Sequence, residues 1–170
     1  MNFSAVEKAA EMGYASSQCT LGLMFLTGNG VNIDLEKARY WLEKSASSNN
    51  PQAILELSRL IKPEDPTSSN NLLQRAAMAG NPEAQFELFE ALSEIEQPKK
   101  IEMLNNAAKA GILKAQVRLA KVYSNGVAGP VNNIEANRWW KIAALKGDVE
   151  LKFQYGINLI RGIGCSPDYS

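Results

Sequence analysis

The 170-residue chain is 45% hydrophobic and 21% charged, the composition of a protein that buries a core, and one domain is the default reading. Eighteen basic residues balance eighteen acidic ones, so no net charge draws the chain toward nucleic acid or an anionic membrane. Histidine is absent, which excludes Ser-His-Asp and Cys-His catalysis and histidine-bearing metal sites.

The opening stretch MNFSAVEKAAEMG carries Glu7, Lys8 and Glu11 where a signal peptide needs an unbroken apolar run. Nowhere does the chain approach the ~18 apolar residues of a membrane span. It reads as cytoplasmic as it stands, or periplasmic if a leader has been removed. Cys19 and Cys165 do not form the dense framework of a secreted disulfide scaffold, which fits a reduced compartment.

Residues 3–12 have the pattern of a helix that stops at Gly13, and the same ending recurs. KAAEMG, KSASSN, RAAMAG, NAAKAG and IAALKG close at Gly13, Asn49, Gly80, Gly111 and Gly147, with spacings of 36, 31, 31 and 36. Eight positions beyond each ending stands Leu21, Leu57, Leu88, Leu119 or Tyr155, so the two halves of the unit repeat in register. Ala84, Leu88, Phe89 and Leu92 fall on one helical face, as do Ala115, Leu119, Ala120 and Tyr123.

The boundaries carry helix chemistry. Asn50-Pro51 and Asn81-Pro82 place a capping asparagine before a proline whose missing N–H costs nothing at the first helical position. The closing glycines suit a left-handed residue, and Asn49 is the usual second choice there. The chain therefore divides into a partial unit 1–13, helix pairs at 14–49, 50–80, 81–111 and 112–147, and a partial unit 148–170.

A single helical pair cannot bury its apolar stripe, so the units must stack. The pairs Ala76-Ala77, Ala107-Ala108 and Ala143-Ala144 let helices approach closely, and Trp41, Trp139 and Trp140 are read as packing residues in the wider gaps. GNGVNID at 28–34 looks like a phosphate loop, but it lacks the preceding strand and the following Gly-Lys-Ser/Thr. Instead Gly28 ends one helix, Gly30 allows the reversal and Asp34 begins the next.

SQCTLGLMFLTGNGVNIDLEKARYWLEKSA (17–46) resembles a Sel1-like repeat, a relative of the tetratricopeptide repeat, through Leu21, Gly22, Phe25, Gly28, Gly30, Val31, Asp34, Ala38, Trp41 and Ala46. The fourth unit keeps Leu119, Tyr123, Gly126, Ala136 and Trp139, while Ala120 and Ala128 replace two expected glycines. The second and third units lack the glycine turn, and prolines 63, 66 and 98 break the helices there. The resemblance implies an all-α fold, a right-handed superhelix of stacked antiparallel helix pairs, acting as a non-catalytic adaptor or scaffold that assembles or regulates other proteins, commonly in bacteria. It implies no reaction and no cofactor.

In helical-pair solenoids the first helix of each unit lines the concave surface. On that face the third unit places Glu83, Glu87, Glu90 and Glu94, the fourth Lys114, Arg118 and Lys121, and the second Gln52, Glu56 and Arg59. These rows are read either as exposed ion pairs between neighbouring helices or as a charge-patterned groove that selects a partner protein or peptide. Four glutamates at helical spacing repel one another, so something should compensate them. A metal site on the glutamate stripe is disfavoured, because one helix face rarely encloses enough oxygens for calcium.

Apolar residues on the same face are Cys19, Leu23, Phe86, Val117, Phe153 and Ile157. They are read as partner contacts or as a seal between adjacent first helices. Cys19 has no histidine to activate it and occupies a position filled elsewhere by Leu55, Phe86, Val117 and Phe153, so it is read as an apolar filler. Catalysis has little support, since nothing places two carboxylates across a dry cleft.

The last helix, at 149–161, keeps Tyr155 and Leu159 exposed for want of a second helix. It invites three readings: an array cut from a longer one, self-association through this uncapped end, or completion by a partner. The reading favoured overall is a protein-interaction module that binds no nucleic acid and does not insert into a membrane. The alternatives are a cognate inhibitor, such as an immunity protein that blocks a toxin, and a carboxylate-dependent hydrolase.

Overall fold

In a computed structural model, residues 3–91, 97–127, 129–147 and 149–163 are described, the side chains of residues 97 and 98 excepted. These residues form helices joined by turns, with no strand among them. The helices are α1 (Phe3–Glu11), α2 (Ala15–Thr27), α3 (Leu35–Ser47), α4 (Pro51–Ile61), α5 (Pro66–Met78), α6 (Pro82–Ala91), α7 (Gln97–Lys109), α8 (Leu113–Asn125), α9 (Asn133–Lys146) and α10 (Val149–Ile160). The even-numbered helices are the first helices of the repeats.

Side-chain caps set the starts. Asn50 Oδ1 accepts from the backbone N–H of Gln52 and Ala53, Asp34 from Lys37, Asp65 from Ser68 and Asn132 from Glu135. Pro66 therefore opens α5 behind the Asp65 cap, and Pro98 stands in the first turn of α7, so both prolines begin helices that the sequence reading has them break. Gly28 closes α2 in the left-handed region at φ 74°, its N–H bonded to the Met24 carbonyl, and Gly30 turns the chain at φ 79°.

Four of the five repeat endings are left-handed as expected: Gly13, Asn49, Gly80 and Gly111. Gly147 is different. It is extended, at φ −95° and ψ −177°, and a Cβ there would lie 2.3 Å from Leu151 Cδ1 and 2.8 Å from the Ala143 carbonyl. Close approach, and not a left-handed turn, is what this glycine permits.

By contacts the chain forms two compact units, Met1–Leu88 and Phe89–Ser170. In the first, Ala10, Leu21, Phe25 and Ala38 make a buried cluster, with Phe3, Val6, Leu26, Val31 and Trp41 packed on it half-buried. Phe3 meets Phe25 edge to face at 6.1 Å between ring centres. Ile54, Leu55, Leu57 and Leu73 continue the core, each worth ~1.5–3 kcal/mol on full burial. Gly22 lets α2 touch α3: a Cβ there would be 2.8 Å from Leu42 Cγ and 3.2 Å from the Ala38 carbonyl.

In the second unit Leu104, Ala107, Ala108, Ala115, Leu119, Ala120, Ala143 and Ala144 are buried. Trp139 and Trp140 are buried there too, whereas Trp41 in the first unit is half-exposed, edge to face with Tyr40 and beneath Lys44. A buried glutamine recurs five residues after a helix-closing glycine. Gln18 Nε2 donates to the Ala10 carbonyl at 3.2 Å in the first unit, and Gln116 Nε2 donates to the Ala108 carbonyl at 3.0 Å in the second. Each bond ties a first helix to the end of the second helix before it.

Candidate partner-binding face

Unit Met1–Leu88 gathers three carboxylates of the first-helix face on one cation. Arg59 of α4 donates from Nη1 to Glu56 Oε1 at 2.9 Å, from Nη2 to Glu83 Oε2 at 3.1 Å, and from Nε to Glu87 Oε1 at 2.9 Å. Burial alone would lower the Arg59 pKa, but the Glu87 hydrogen bond and the charges of Glu56 and Glu87 outweigh it and hold the pKa above its usual value. The pairing between neighbouring first helices is thus present, and Arg59 supplies the compensation that the glutamate stripe requires.

The cluster extends through amides. Gln52 Nε2 donates to Glu56 Oε1 at 2.8 Å, and Asn81 Nδ2 donates to Gln52 Oε1 at 2.9 Å while Asn81 Oδ1 caps α6 through the Ala84 N–H. Asn81 reads from sequence as a cap only; its second bond carries no sequence signature, because it depends on where α4 lies.

In unit Phe89–Ser170, Arg118 of α8 pairs with Glu90 at 3.5 Å. Lys114 and Lys121 are exposed on the same helix, and neither forms an ion pair among the described residues. Val117 is half-buried between them. On α10, Phe153 is 62% exposed and Ile157 half-buried. Glu94 lies outside the described residues.

The apolar candidates of the first unit divide. Leu23 and Phe86 are half-buried, but Cys19 is buried, as is Leu55 at the same repeat position. Cys19 therefore does not face a groove. Burial, with the charge of Glu56 adding to it, pushes its thiol up to about 11, so it stays protonated at neutral pH. Among the described residues no group of three or more Cys, Asp or Glu side chains could hold a metal ion, and no helix is long and apolar enough to cross a membrane.

The Sel1 repeat family model matches residues 15–50, 56–81 and 113–148. The chain belongs to the Sel1 repeat family. Sel1 repeats are generally protein-interaction modules. The fold agrees: a Sel1 repeat protein from Oxalobacter formigenes superposes with a TM-score of 0.82 at 30% identity, over 92% of this chain and 48% of that one. The protective antigen c5321 of uropathogenic Escherichia coli, which has the same repeat fold, gives 0.79 at 25% identity, over 96% of this chain and 37% of that one.

The chain thus spans less than half the length of either of these Sel1 repeat structures. The immunity protein Pa5087 of Pseudomonas aeruginosa gives 0.62 at 20% identity, over 98% of this chain and 75% of that one, a likeness of fold alone. Compared with curated proteins, the chain finds no match.

Proposed function

We propose that this Sel1 repeat chain is a non-catalytic protein-interaction module that takes a partner protein or peptide along the exposed face of its first helices. One observation carries the reading: the charges of that face are balanced internally on α4 and the start of α6, whereas Lys114 and Lys121 of α8 form no ion pair among the described residues. Glu56, Glu83 and Glu87 converge on Arg59 and not on one another, which supports a structural use of these carboxylates over an acid/base pair. Lys114 and Lys121 remain to select and steer a partner, while Val117, Phe153 and Ile157 offer apolar contact on α8 and α10.

Affinity capture, followed by titration of the purified partner, tests this. Lys114→Glu and Phe153→Ser alter exposed side chains and should leave the fold intact. Each is expected to weaken partner binding by about tenfold, a loss of ~1.4 kcal/mol. Wild-type affinity in both variants would overturn the assignment of the face.

A further inference from the structure

We infer that Asn29, in the turn between α2 and α3, is a site of spontaneous covalent modification, at which its carboxamide gives way to a carboxylate or to an isoaspartyl link in the main chain. The modification is independent of any partner. The dipeptide Asn-Gly occurs twice in the chain, at Asn29-Gly30 and at Asn125-Gly126. An asparagine side chain before a glycine is open to attack by the next backbone nitrogen, because glycine has no Cβ to block the approach.

The two pairs are held differently. Asn125 is the last residue of α8, and the N–H of Gly126 donates to the Val122 carbonyl. That nitrogen is engaged in closing the helix. Asn29 instead stands one residue beyond the glycine that closes α2. The N–H groups of Gly28 and Asn29 both donate to the Met24 carbonyl, at 2.9 Å and 3.1 Å, whereas the N–H of Gly30 has no partner among the described residues.

The side chain is as free as the nitrogen. Asn29 and Gly30 are both exposed, and the Asn29 carboxamide makes no hydrogen bond among the described residues. Gly30 is uncrowded: at φ 79°, the nearest atom to a Cβ built there is Met24 Cε at 3.5 Å. Attack at Asn29 breaks no hydrogen bond, while attack at Asn125 must first break the bond that ends α8.

The chemistry needs only water and hydroxide. Hydroxide removes the Gly30 N–H proton and the bond from this nitrogen to Asn29 Cγ forms. The Cγ–Nδ2 bond then breaks as Nδ2 takes a proton from water and leaves as ammonia, which regenerates the hydroxide and closes a cyclic imide. Water opens the imide. Addition at Cγ leaves an aspartate, whereas addition at the Asn29 carbonyl carbon leaves the main chain running through Cγ, one carbon longer.

Either product weakens the turn. A carboxylate at this point meets the carbonyl end of α2, where the helix dipole disfavours negative charge. The isoaspartyl form also lengthens the stretch between Gly28 and Asp34, whose N–H is fixed on the Phe25 carbonyl at 3.0 Å and whose side chain caps α3.

The test is incubation of the folded full chain in mildly alkaline buffer, with peptide mapping by mass spectrometry and a protein isoaspartate methyltransferase to count isoaspartyl links. Asn29 is expected to convert about tenfold faster than Asn125, the difference that one engaged hydrogen bond supports. In urea the two rates should converge. Asn29→Gln, which would have to close a larger ring, should remove the signal at this position. The aged chain and Asn29→Asp should each show an unfolding constant about two- to fivefold larger than the fresh chain.

Equal rates at Asn29 and Asn125 in the folded chain would overturn the inference, as would an Asn29 that stays intact while the unfolded chain converts. An aged chain and an Asn29→Asp variant both as stable as the fresh chain would overturn the weakening of the turn.

Discussion

Asn81 belongs to two repeats at once: its Oδ1 caps α6 at the Ala84 N–H, 2.9 Å away, and its Nδ2 donates to Gln52 Oε1 of α4, also at 2.9 Å. From Gln52 the hydrogen bonds continue through Glu56 to Arg59, and from Arg59 back to Glu83 and Glu87 of α6. The start of one first helix is thereby fixed to the flank of the one before it. This is a lateral connection that repetition of the helix pair alone does not supply.

Asn81→Ala should lower stability by about 1–2 kcal/mol, because it removes a buried cap and a part-buried hydrogen bond together. Asn81→Asp should recover the cap but not the Gln52 bond. In a double-mutant cycle with Gln52→Ala, urea unfolding should show a coupling energy of about 0.5–1 kcal/mol. Strict additivity would mean that the contact contributes nothing.

Arg59→Ala leaves Glu56, Glu83 and Glu87 facing one another. Arg59 is more than a third exposed, so the expected loss is modest, about 1 kcal/mol or less, with a melting temperature lower by about 2–4 °C. Molar salt should narrow the gap to wild type by screening the repulsion among the three carboxylates.

Gly22→Val tests the approach of α2 to α3. The new side chain must displace Leu42, whose Cγ is 2.8 Å from the first added carbon, and it meets the Ala38 carbonyl at 3.2 Å. Overpacking of this kind costs about 1–3 kcal/mol, and thermal unfolding monitored by circular dichroism should report it.

Two carboxylate caps, Asp34 half-buried and Asp65 exposed, give an acid-dependent contribution. The Lys37 backbone N–H is the main group holding the Asp34 carboxyl below its usual range, and the Ser68 side chain and N–H do the same for Asp65. With folded pKa values depressed, their stabilisation is present above the unfolded value, near pH 4, and is lost as pH falls through the folded values. Asp34→Ala and Asp65→Ala should therefore show lower urea midpoints than wild type at neutral pH, with the gap closing in acid.

Cys19 should be chemically silent in the folded chain. In a Cys165→Ser background, a thiol-reactive chromophore at about pH 8 should not react until urea unfolds the protein, because burial holds the thiol near 11. Prompt reaction in the native state would contradict the packing of α2.

Caps, turns and repeat register were legible in the residues because they are local. An asparagine before a proline, or a glycine after the last apolar residue, acts within one turn of backbone and needs no neighbour. So Gly28, Gly30 and Asp34 behave as their motif requires, and Asn50 and Asn81 cap as read. The same logic led astray at Gly147, where contact with Leu151 sets the backbone. Asn49 goes further than its motif: besides its left-handed φ of 63°, its Oδ1 accepts from Arg75 Nη2 at 2.9 Å.

By itself the sequence determined an all-α chain of Sel1 repeats and the faces on which its charges lie, because a helix of 100° per residue assigns faces without outside help. Tertiary structure alone decided which charges are spent on one another. Arg59 could have faced solvent or a partner; the spacing of α4 and α6 brings Glu83 and Glu87 to it beside Glu56 of its own helix, while Lys114 and Lys121 on α8 form no ion pair among the described residues. It also decided that Trp140 is buried while Trp41 is only half-covered. Distances between helices depend on the packed side chains of both, and no single segment encodes them.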